Sequence, residues 1–256
     1  MTERHHFPSF DGTQLAYHET GPAGGRPLLL LHGLFSSANV NWIKFGTAEK
    51  LAQGGRRVLM LDVRAHGDSA APTDAAAYPE GVLEDDVRAW VQHLAFDDYD
   101  LAGFSLGART AAITVAEGTL APARLALCGM GLRGIADHRN GTSIPGFIET
   151  IDSFGTHRPG TEAYMTQQFL KANKTDLVAA RHLLHALADA PESSLRAVKT
   201  ETLVLCGAED GYLSDAEALA EALPAATMQR IPGDHLGCVT KPEFGDALAD
   251  WFGGGA

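Results

Sequence analysis

Short runs of consecutive apolar residues alternate with segments of helical periodicity along the first half of the chain. The apolar runs occupy residues 27–31, 58–63, 99–104 and 124–128. Continuous runs of this length are typical of strands that are buried on both faces, as in a parallel sheet. Because a predicted helix lies between each pair of runs, the pattern indicates an α/β fold with a mostly parallel sheet and helices on both of its faces.

The early part of the chain carries three further predictions. Residues 5–20 consist of two extended runs around the turn Asp11-Gly12-Thr13, which predicts an N-terminal β-hairpin. The segment from Asn41 to Gln53 is predicted to form one helix. In the predicted helix that follows residue 82, the acidic run Glu84-Asp85-Asp86 lies opposite the apolar positions, so we expect it to form a solvated face.

The alternation stops in the middle of the chain, where residues 131–197 contain no strand signal. We predict that this segment is an all-helical cap and that residues 1–130 and 198–256 form the core. A cap of this kind covers the C-terminal edge of the sheet and gives a pocket an apolar wall, although ordinary packing against a sheet face remains an alternative. The predicted helices of the cap lie near residues 146–155, 161–173 and 176–189.

Composition and charge narrow the class of protein. The 256 residues carry a net charge of −12 without a cluster of lysine and arginine longer than a pair. This balance argues against nucleic acid and anionic membranes as partners. The three cysteines, Cys128, Cys206 and Cys238, are too few and too widely spaced for a disulfide framework or a C-x-x-C metal site, and they favour a reducing cytoplasm. The N-terminal residues lack the apolar core of a signal peptide.

The sequence Gly103-Phe104-Ser105-Leu106-Gly107 joins a predicted strand to a helix of small residues. A serine on such a strand-to-helix turn adopts a sparsely populated backbone conformation, and the glycines on either side allow the backbones to approach closely. The turn exposes the serine hydroxyl at the sheet edge. We therefore predict that Ser105 is a nucleophile.

A serine nucleophile needs a base, and the base needs a partner that fixes its tautomer. Asp210 follows the predicted strand 201–206, and His235 follows the strand 228–231. Since parallel strands end at one edge of the sheet, we expect His235 to be the general base and Asp210 to orient it. Glu209 and Asp215 compete with Asp210 for this role.

The remaining site predictions concern the oxyanion and the pocket. An oxyanion hole requires two N–H donors, and we assign them to Leu106 and to Leu34 in the loop after the first buried strand. The predicted pocket lining is Phe35, Met130 and Phe147. We expect neither a metal nor an organic cofactor.

We interpret the other candidate histidines and Cys238 as structural residues. His32 and His66 lie in loops near the predicted site and are expected to be structural hydrogen-bonding groups. His182 and His185 lie at i and i+3 on a cap helix, but carboxylate or cysteine ligands are absent at metal-binding spacing. We expect Cys238 to be a packing residue.

Five stretches of the chain together resemble the α/β-hydrolase fold family over residues from about 10 to 252. The resemblance is to a serine carboxylesterase-like member with a small helical cap, and it implies that the D-x-R-x-x-G-x-S stretch shapes a loop near the active site. Ala65 replaces the glycine that is common there, and the serine nucleophile excludes the aspartate-dependent members that act on haloalkanes and epoxides. The stretches are His32-Gly33, Asp62 to Ser69, Gly103 to Gly107, Gly207 to Asp210 and Gly233 to His235.

The residues and the resemblance lead to one expected function and several alternatives. We expect a cytoplasmic serine hydrolase, monomeric or homodimeric, that cleaves carboxylic esters of small, largely apolar substrates through an acyl-enzyme. The same triad supports hydrolysis of a carbon–carbon bond in a vinylogous diketone, lactone opening and thioester cleavage. A ligand receptor with slow hydrolysis and an inactive structural relative are the alternatives of a different class, because fold does not determine function.

Overall fold

A computed structural model describes residues 2–141 and 144–253 of the chain. Within these residues, the strands form one eight-stranded sheet. The strands are β1 (Glu3–Pro8), β2 (Gln14–Thr20), β3 (Pro27–Leu31), β4 (Arg57–Asp62), β5 (Asp100–Phe104), β6 (Arg124–Cys128), β7 (Glu201–Gly207) and β8 (Ala226–Ile231). Their spatial order is β1-β2-β4-β3-β5-β6-β7-β8.

Helices connect the strands and cover the sheet. Those of the first half are α1 (Thr47–Gln53), α2 (Val82–Leu94) and α3 (Leu106–Ala116). Those between β6 and β7 are α4 (Leu132–Ala136), α5 (His138–Gly141), α6 (Ile144–Asp152), α7 (Glu162–Ala172), α8 (Leu177–His185) and α9 (Glu192–Leu195). The last two are α10 (Leu213–Ala222) and α11 (Pro242–Gly253).

The direction of the strands confirms the fold predicted from the sequence. β1 and β2 form the expected antiparallel hairpin, and β2 pairs with β4 in antiparallel register. From β4 to β8 all pairs are parallel. In the sheet, β4 lies on one side of β3 and β5 lies on the other side. The loops after β3 and β5 therefore diverge at a topological switch point, where open α/β sheets bind their ligands.

The central strand β3 explains why its sequence is continuously apolar. Leu29 and Leu31 pack into the cluster on one face of the sheet, while Leu28 and Leu30 pack into the cluster on the other face. All four side chains are completely buried. A strand with two buried faces has no solvent side, so the alternation of a half-exposed strand is absent.

The predicted helix from Asn41 to Gln53 is interrupted. Residues Asn39–Ile43 form a π-helical turn and α1 begins only at Thr47. Gly46 lies between them with φ 83°, a left-handed conformation that ends one helical segment before the next begins. Apolar periodicity does not register such a break, because both segments present their apolar side chains to the same cluster.

The prediction that Glu84-Asp85-Asp86 forms a solvated face is wrong. Glu84 and Asp86 are buried in the fold. Arg64 forms an ion pair with Asp86, and Arg109 forms one with Glu84. Each buried carboxylate therefore has a buried cation beside it. Only Asp85 is partly exposed, where it pairs with Arg88.

The segment between β6 and β7, which we call the insert, contains α4 to α9 and no strand among its described residues. Its three longest helices agree with the three that the sequence predicts. Arg181 of α8 forms an ion pair with Asp152 of α6. The division into core and cap at residues 131 and 197 stays a prediction. None of the described helices has the length and apolar character needed to cross a bilayer.

Candidate active site

Ser105 lies on a sharp turn between β5 and α3. Its φ of 51° and ψ of −113° are rare for a residue with a side chain and indicate local strain. The backbone holds this conformation from both sides. The Ser105 N–H donates to the carbonyl of Cys128 on β6 (2.8 Å), and the Ser105 carbonyl accepts from the N–H of Arg109 (2.9 Å).

The two glycines around Ser105 are required by close backbone contacts. A Cβ on Gly103 would lie 2.3 Å from the carbonyl carbon of Gly107. A Cβ on Gly107 would lie 2.2 Å from the carbonyl oxygen of Leu31 on β3. Both separations are shorter than any real Cβ contact, so α3 could not pack against the sheet with larger residues here.

The structure brings Ser105, His235 and Asp210 together in one hydrogen-bonded chain. His235 Nε2 lies 3.1 Å from Ser105 Oγ, and His235 Nδ1 lies 2.8 Å from Asp210 Oδ2. With the proton on Nδ1, the imidazole donates to the carboxylate and its Nε2 lone pair accepts from the serine hydroxyl. This is the arrangement in which histidine acts as a general base.

The loops that carry Asp210 and His235 are joined at their bases. Gly207 at the end of β7 approaches Gly233 so closely that a Cβ would lie 2.2 Å from the Gly233 carbonyl oxygen. The Glu209 N–H donates to that same carbonyl. Of the competing acids, Glu209 is exposed and Asp215 accepts from the N–H and Nε of Arg133, so neither occupies the place of Asp210.

The carboxylate of Asp210 is buried and ionised. Burial raises its pKa, but the hydrogen bonds from His235 and from the Tyr212 N–H (2.9 Å) outweigh burial and hold the pKa below its usual value. The ring of His235 also packs between Phe104 and Tyr212, with centroid separations of 5.2 and 5.3 Å. These contacts fix the plane of the imidazole.

Two backbone donors near Ser105 are unused within the described part of the chain. The N–H of Leu106 opens α3, and the N–H of Leu34 lies in the loop after β3; neither donates a hydrogen bond there. Gly33 brings this loop against the serine, because a Cβ on it would lie 3.4 Å from the Ser105 Cβ. The positions suit donors to an oxyanion formed at Ser105.

The residues predicted to line the pocket are placed by different elements. Phe35 packs edge-to-face on Phe147 of α6, with ring centroids 5.6 Å apart. Met130 directly follows Gly129, whose added Cβ would lie 3.4 Å from Cε1 of His235. Met130 and Phe147 are partly buried and extend the apolar cluster on this face of the sheet.

Comparison with known proteins agrees with the fold of the chain. The sequence model of the α/β-hydrolase fold family matches residues 26–130, which include the loop after β3 and the Ser105 turn. A thermophilic esterase from Thermogutta terrifontis has the same fold, with a TM-score of 0.77, 24% identity and coverage of 98% of both chains. The chain as a whole therefore has the α/β-hydrolase fold.

Two curated relatives are longer than the chain. The acetyltransferase component of the acetoin cleaving system of Pseudomonas putida, which acts on a dihydrolipoyllysine residue, is 30% identical over 223 residues, or 81% of this chain and 58% of that protein. The sn-1-specific diacylglycerol lipase ABHD11 of Xenopus tropicalis is 41% identical over 97 residues, or 38% of this chain and 28% of that protein. The chain thus spans little more than half of one relative and under a third of the other.

The D-x-R-x-x-G-x-S stretch forms the loop after β4, next to the candidate site. Asp62 accepts from the N–H groups of Ala38 (2.7 Å) and Asp68 (2.9 Å). Gly67 approaches this carboxylate so closely that a Cβ would lie 2.3 Å from it. Ala65 adopts φ 68°, so the residue that replaces the family's glycine keeps a left-handed conformation.

His32 and His66 are both buried neutral groups. His32 Nδ1 donates to the Gly33 carbonyl (2.8 Å), and its Nε2 accepts from the Val63 N–H (3.1 Å). Burial lowers the pKa of His32 and lowers that of His66 to about 3. Neither ring reaches the serine through a hydrogen bond, so both serve the loops that surround it.

The structure accounts for the remaining candidate side chains without catalysis. The ring of His182 packs on Tyr78 at 5.7 Å. Cys238 is buried, and burial raises its pKa to about 12. In the described part of the chain, metal-like spacing occurs at His18, Asp62 and Asp68, where a hydrogen bond from His18 to Asp62 and an ion pair from Arg4 to Asp68 already satisfy the charges.

Sequence reasoning missed two residues that support the site. The Asn41 Oδ1 atom accepts from the Gly33 N–H (3.0 Å), and the buried Arg109 donates from Nε to the Gly134 carbonyl (3.0 Å) and from Nη2 to the Ala188 carbonyl. Arg109 thereby joins α3, the helix that follows Ser105, to the insert. An arginine one turn after Ser105 is a local signal, whereas Asn41 has none because its partner is eight residues away.

Proposed function

We propose that this α/β-hydrolase is a serine hydrolase that cleaves carboxylic esters of small, largely apolar substrates. The observation that carries the proposal is the alignment of Ser105 Oγ, the His235 imidazole and Asp210, at 3.1 and 2.8 Å. His235 removes the proton of Ser105 as the hydroxyl attacks the ester carbonyl, and it returns the proton to the leaving alcohol.

The oxyanion and the second half of the reaction use the same residues. The N–H groups of Leu34 and Leu106 bind the negative oxygen of the tetrahedral intermediate. Water then attacks the acyl-enzyme, with His235 as the general base, and releases the acid. Asp210 is ionised and stabilises the imidazolium that forms in both halves.

The chemistry of the surrounding side chains supports an apolar substrate. Phe35 packs on Phe147, and both belong with Met130 to one apolar cluster, so these side chains would offer a substrate aromatic and thioether groups. Arg109, the cation nearest to Ser105 along α3, is held by the insert and by Glu84, so it is not free to bind a substrate carboxylate. We therefore propose an uncharged small-molecule ester as the partner, in place of nucleic acid or a membrane.

The state of the cysteines supports a cytoplasmic location. Cys128, Cys206 and Cys238 are all free and buried, which is usual in a reducing compartment. We propose a monomer or homodimer in that compartment. Size-exclusion chromatography with light scattering measures this oligomeric state directly.

The first experiment measures hydrolysis of p-nitrophenyl esters from acetyl to dodecanoyl. We expect turnover of the short esters and a loss of about 10³-fold or more in Ser105→Ala. The exposed Ser193 provides the matched control, since Ser193→Ala should keep the wild-type rate. A fluorophosphonate should label Ser105 in the wild type only.

The same panel includes lactones, thioesters and a vinylogous diketone. Serine-dependent turnover of one of these without ester turnover would replace the ester assignment with that reaction. Retention of the rate in Ser105→Ala, or inactivity toward the whole panel, would contradict the proposal of a serine hydrolase.

A further inference from the structure

The loop after β3 has an unusual distribution of hydrogen bonds. Gly33 N–H donates to Asn41 Oδ1 (3.0 Å), Phe35 N–H to His66 Nε2 (2.9 Å) and Ser36 N–H to the Gly33 carbonyl (3.2 Å). Among these four consecutive residues of the described chain, the Leu34 N–H alone has no acceptor. Of these four residues, Leu34 therefore has the one available N–H donor, while the N–H groups of its neighbours are occupied by hydrogen bonds.

Phe35 occupies the strained position of this loop. Its φ of 58° lies in the left-handed region, which is costly for a residue with a side chain. In this conformation the N–H of Phe35 donates to His66 Nε2. A hydrogen bond to a fixed acceptor offsets the strain, so the acceptor controls which way the peptide units of the loop point.

His66 is built to be that acceptor. Its Nδ1 atom donates to the carbonyl of Arg64 (2.9 Å), which places the proton on Nδ1 and leaves the Nε2 lone pair free to accept. The ring is almost completely buried and packs on the side chain of Phe35 with nearly parallel planes, 6.4 Å between centroids. Burial lowers its pKa to about 3, so the ring stays neutral under assay conditions.

We propose that His66 is the positioning residue of the oxyanion hole. By accepting the Phe35 N–H, it fixes the left-handed turn that leaves the Leu34 N–H directed at the oxyanion. The ring does not touch the triad through a hydrogen bond and takes no proton during the reaction. This inference rests on the proposed serine hydrolase activity and adds a residue to its machinery.

The proposal distinguishes transition-state positioning from simple stability. An oxyanion-hole donor binds a developing O⁻ much better than a developing S⁻, so an intact hole favours an ester over the thionoester of the same acid and alcohol. Loss of overall folding lowers both rates equally. Displacement of one donor lowers the ester rate more, and the ester-to-thionoester ratio falls.

The experiment uses the full chain with a short p-nitrophenyl ester and its thionoester. In His66→Leu we expect kcat on the ester to fall about 10- to 100-fold, with a much smaller change in KM, and the ratio to fall at least fivefold. His66→Gln retains an acceptor oxygen and should recover part of both quantities. His93→Leu, an exposed histidine on α2, is the control and should leave both unchanged.

The outcomes separate this inference from the proposed function. An active wild type whose activity depends on Ser105, together with an unchanged ratio in a folded His66→Leu, would overturn the role of His66 and leave the hydrolase proposal intact. If circular dichroism shows that His66→Leu does not fold, His66→Asn decides by the same ratio, because its side chain is too short to span Phe35 and Arg64. An inactive wild type would instead overturn the function on which the inference rests.

Discussion

Arg64 holds the carboxylate of Asp86 with two parallel hydrogen bonds inside the protein. Arg64 Nε donates to Asp86 Oδ2 (2.9 Å), and Nη2 donates to Oδ1 (2.8 Å). Both side chains are completely buried, and Ser9 Oγ supplies a third donor to Asp86. This ion pair connects the loop that follows β4 to α2. Helix α2 in turn packs beside α3, the helix that follows Ser105. Since that loop also carries His66, the ion pair contributes to the position of the site.

Removal of the Asp86 charge should destabilise the fold strongly. Asp86→Asn leaves the Arg64 guanidinium buried with less compensation, and we expect the free energy of unfolding to fall by about 3–5 kcal/mol. The adjacent Asp85 is partly exposed, so Asp85→Asn should change it by less than about 1 kcal/mol. Urea denaturation followed by circular dichroism measures both values. Equal effects of the two variants would show that the buried pair contributes no more than the surface pair.

Arg64 also controls an acid-dependent part of the stability. Its hydrogen bonds with Asp11 (2.7 and 3.0 Å) lower the pKa of Asp11 from 3.8 to about 2. Because the folded-state pKa is below the unfolded value, this contribution is present above about pH 4 and is lost as the pH falls toward 2. Asp11 is exposed, so solvent screening reduces the contribution to about 1 kcal/mol.

Asp11→Asn should therefore lower the free energy of unfolding at pH 7 by about 1 kcal/mol and reduce its slope between pH 4 and 2. The comparison variant is Asp97→Asn, an exposed aspartate without an ion pair among the described residues. Thermal unfolding at a series of pH values gives the two slopes. A wild-type slope in Asp11→Asn would contradict this assignment of the acid dependence to Asp11.

The sequence is sufficient to predict the sheet and the approach of Ser105, Asp210 and His235 to one another, because both follow from local signals. The strand β5, the glycines around Ser105 and the residues that follow β7 and β8 are contiguous in sequence, and parallel strands bring their carboxyl ends together. Long-range pairing was not predictable in this way. The acidic run predicts a solvated face at Glu84 and Asp86. Their cationic partners, Arg109 and Arg64, lie 25 and 22 residues away, so no neighbouring residue in the sequence indicates these ion pairs.

The loop after β3 illustrates the same limit of sequence-based prediction at the candidate site. The position of Leu34 after β3 predicts that its N–H is an oxyanion donor, but the sequence does not show that Asn41 and His66 accept from its neighbours. These hydrogen bonds depend on the π-helical turn at residues 39–43 and on the left-handed Phe35, which hydrophobic periodicity does not reveal. Single-sequence patterns thus locate candidate catalytic side chains better than the groups that position them.

The three acids that follow β7, Glu209, Asp210 and Asp215, allow a direct test of the proposed triad. Asp210→Asn replaces an ionised acceptor with an amide, so His235 loses the partner that fixes its tautomer and stabilises its charged form. We expect kcat on a short p-nitrophenyl ester to fall by about 10³–10⁴-fold with a small change in KM. Glu209→Gln alters an exposed neighbour and should keep the wild-type rate within about twofold. Asp215 accepts from Arg133 and not from His235, so Asp215→Asn should lower kcat far less than Asp210→Asn. If Asp210→Asn retained most of the activity while Glu209→Gln or Asp215→Asn lost it, the acid of the triad would have to be reassigned to that residue.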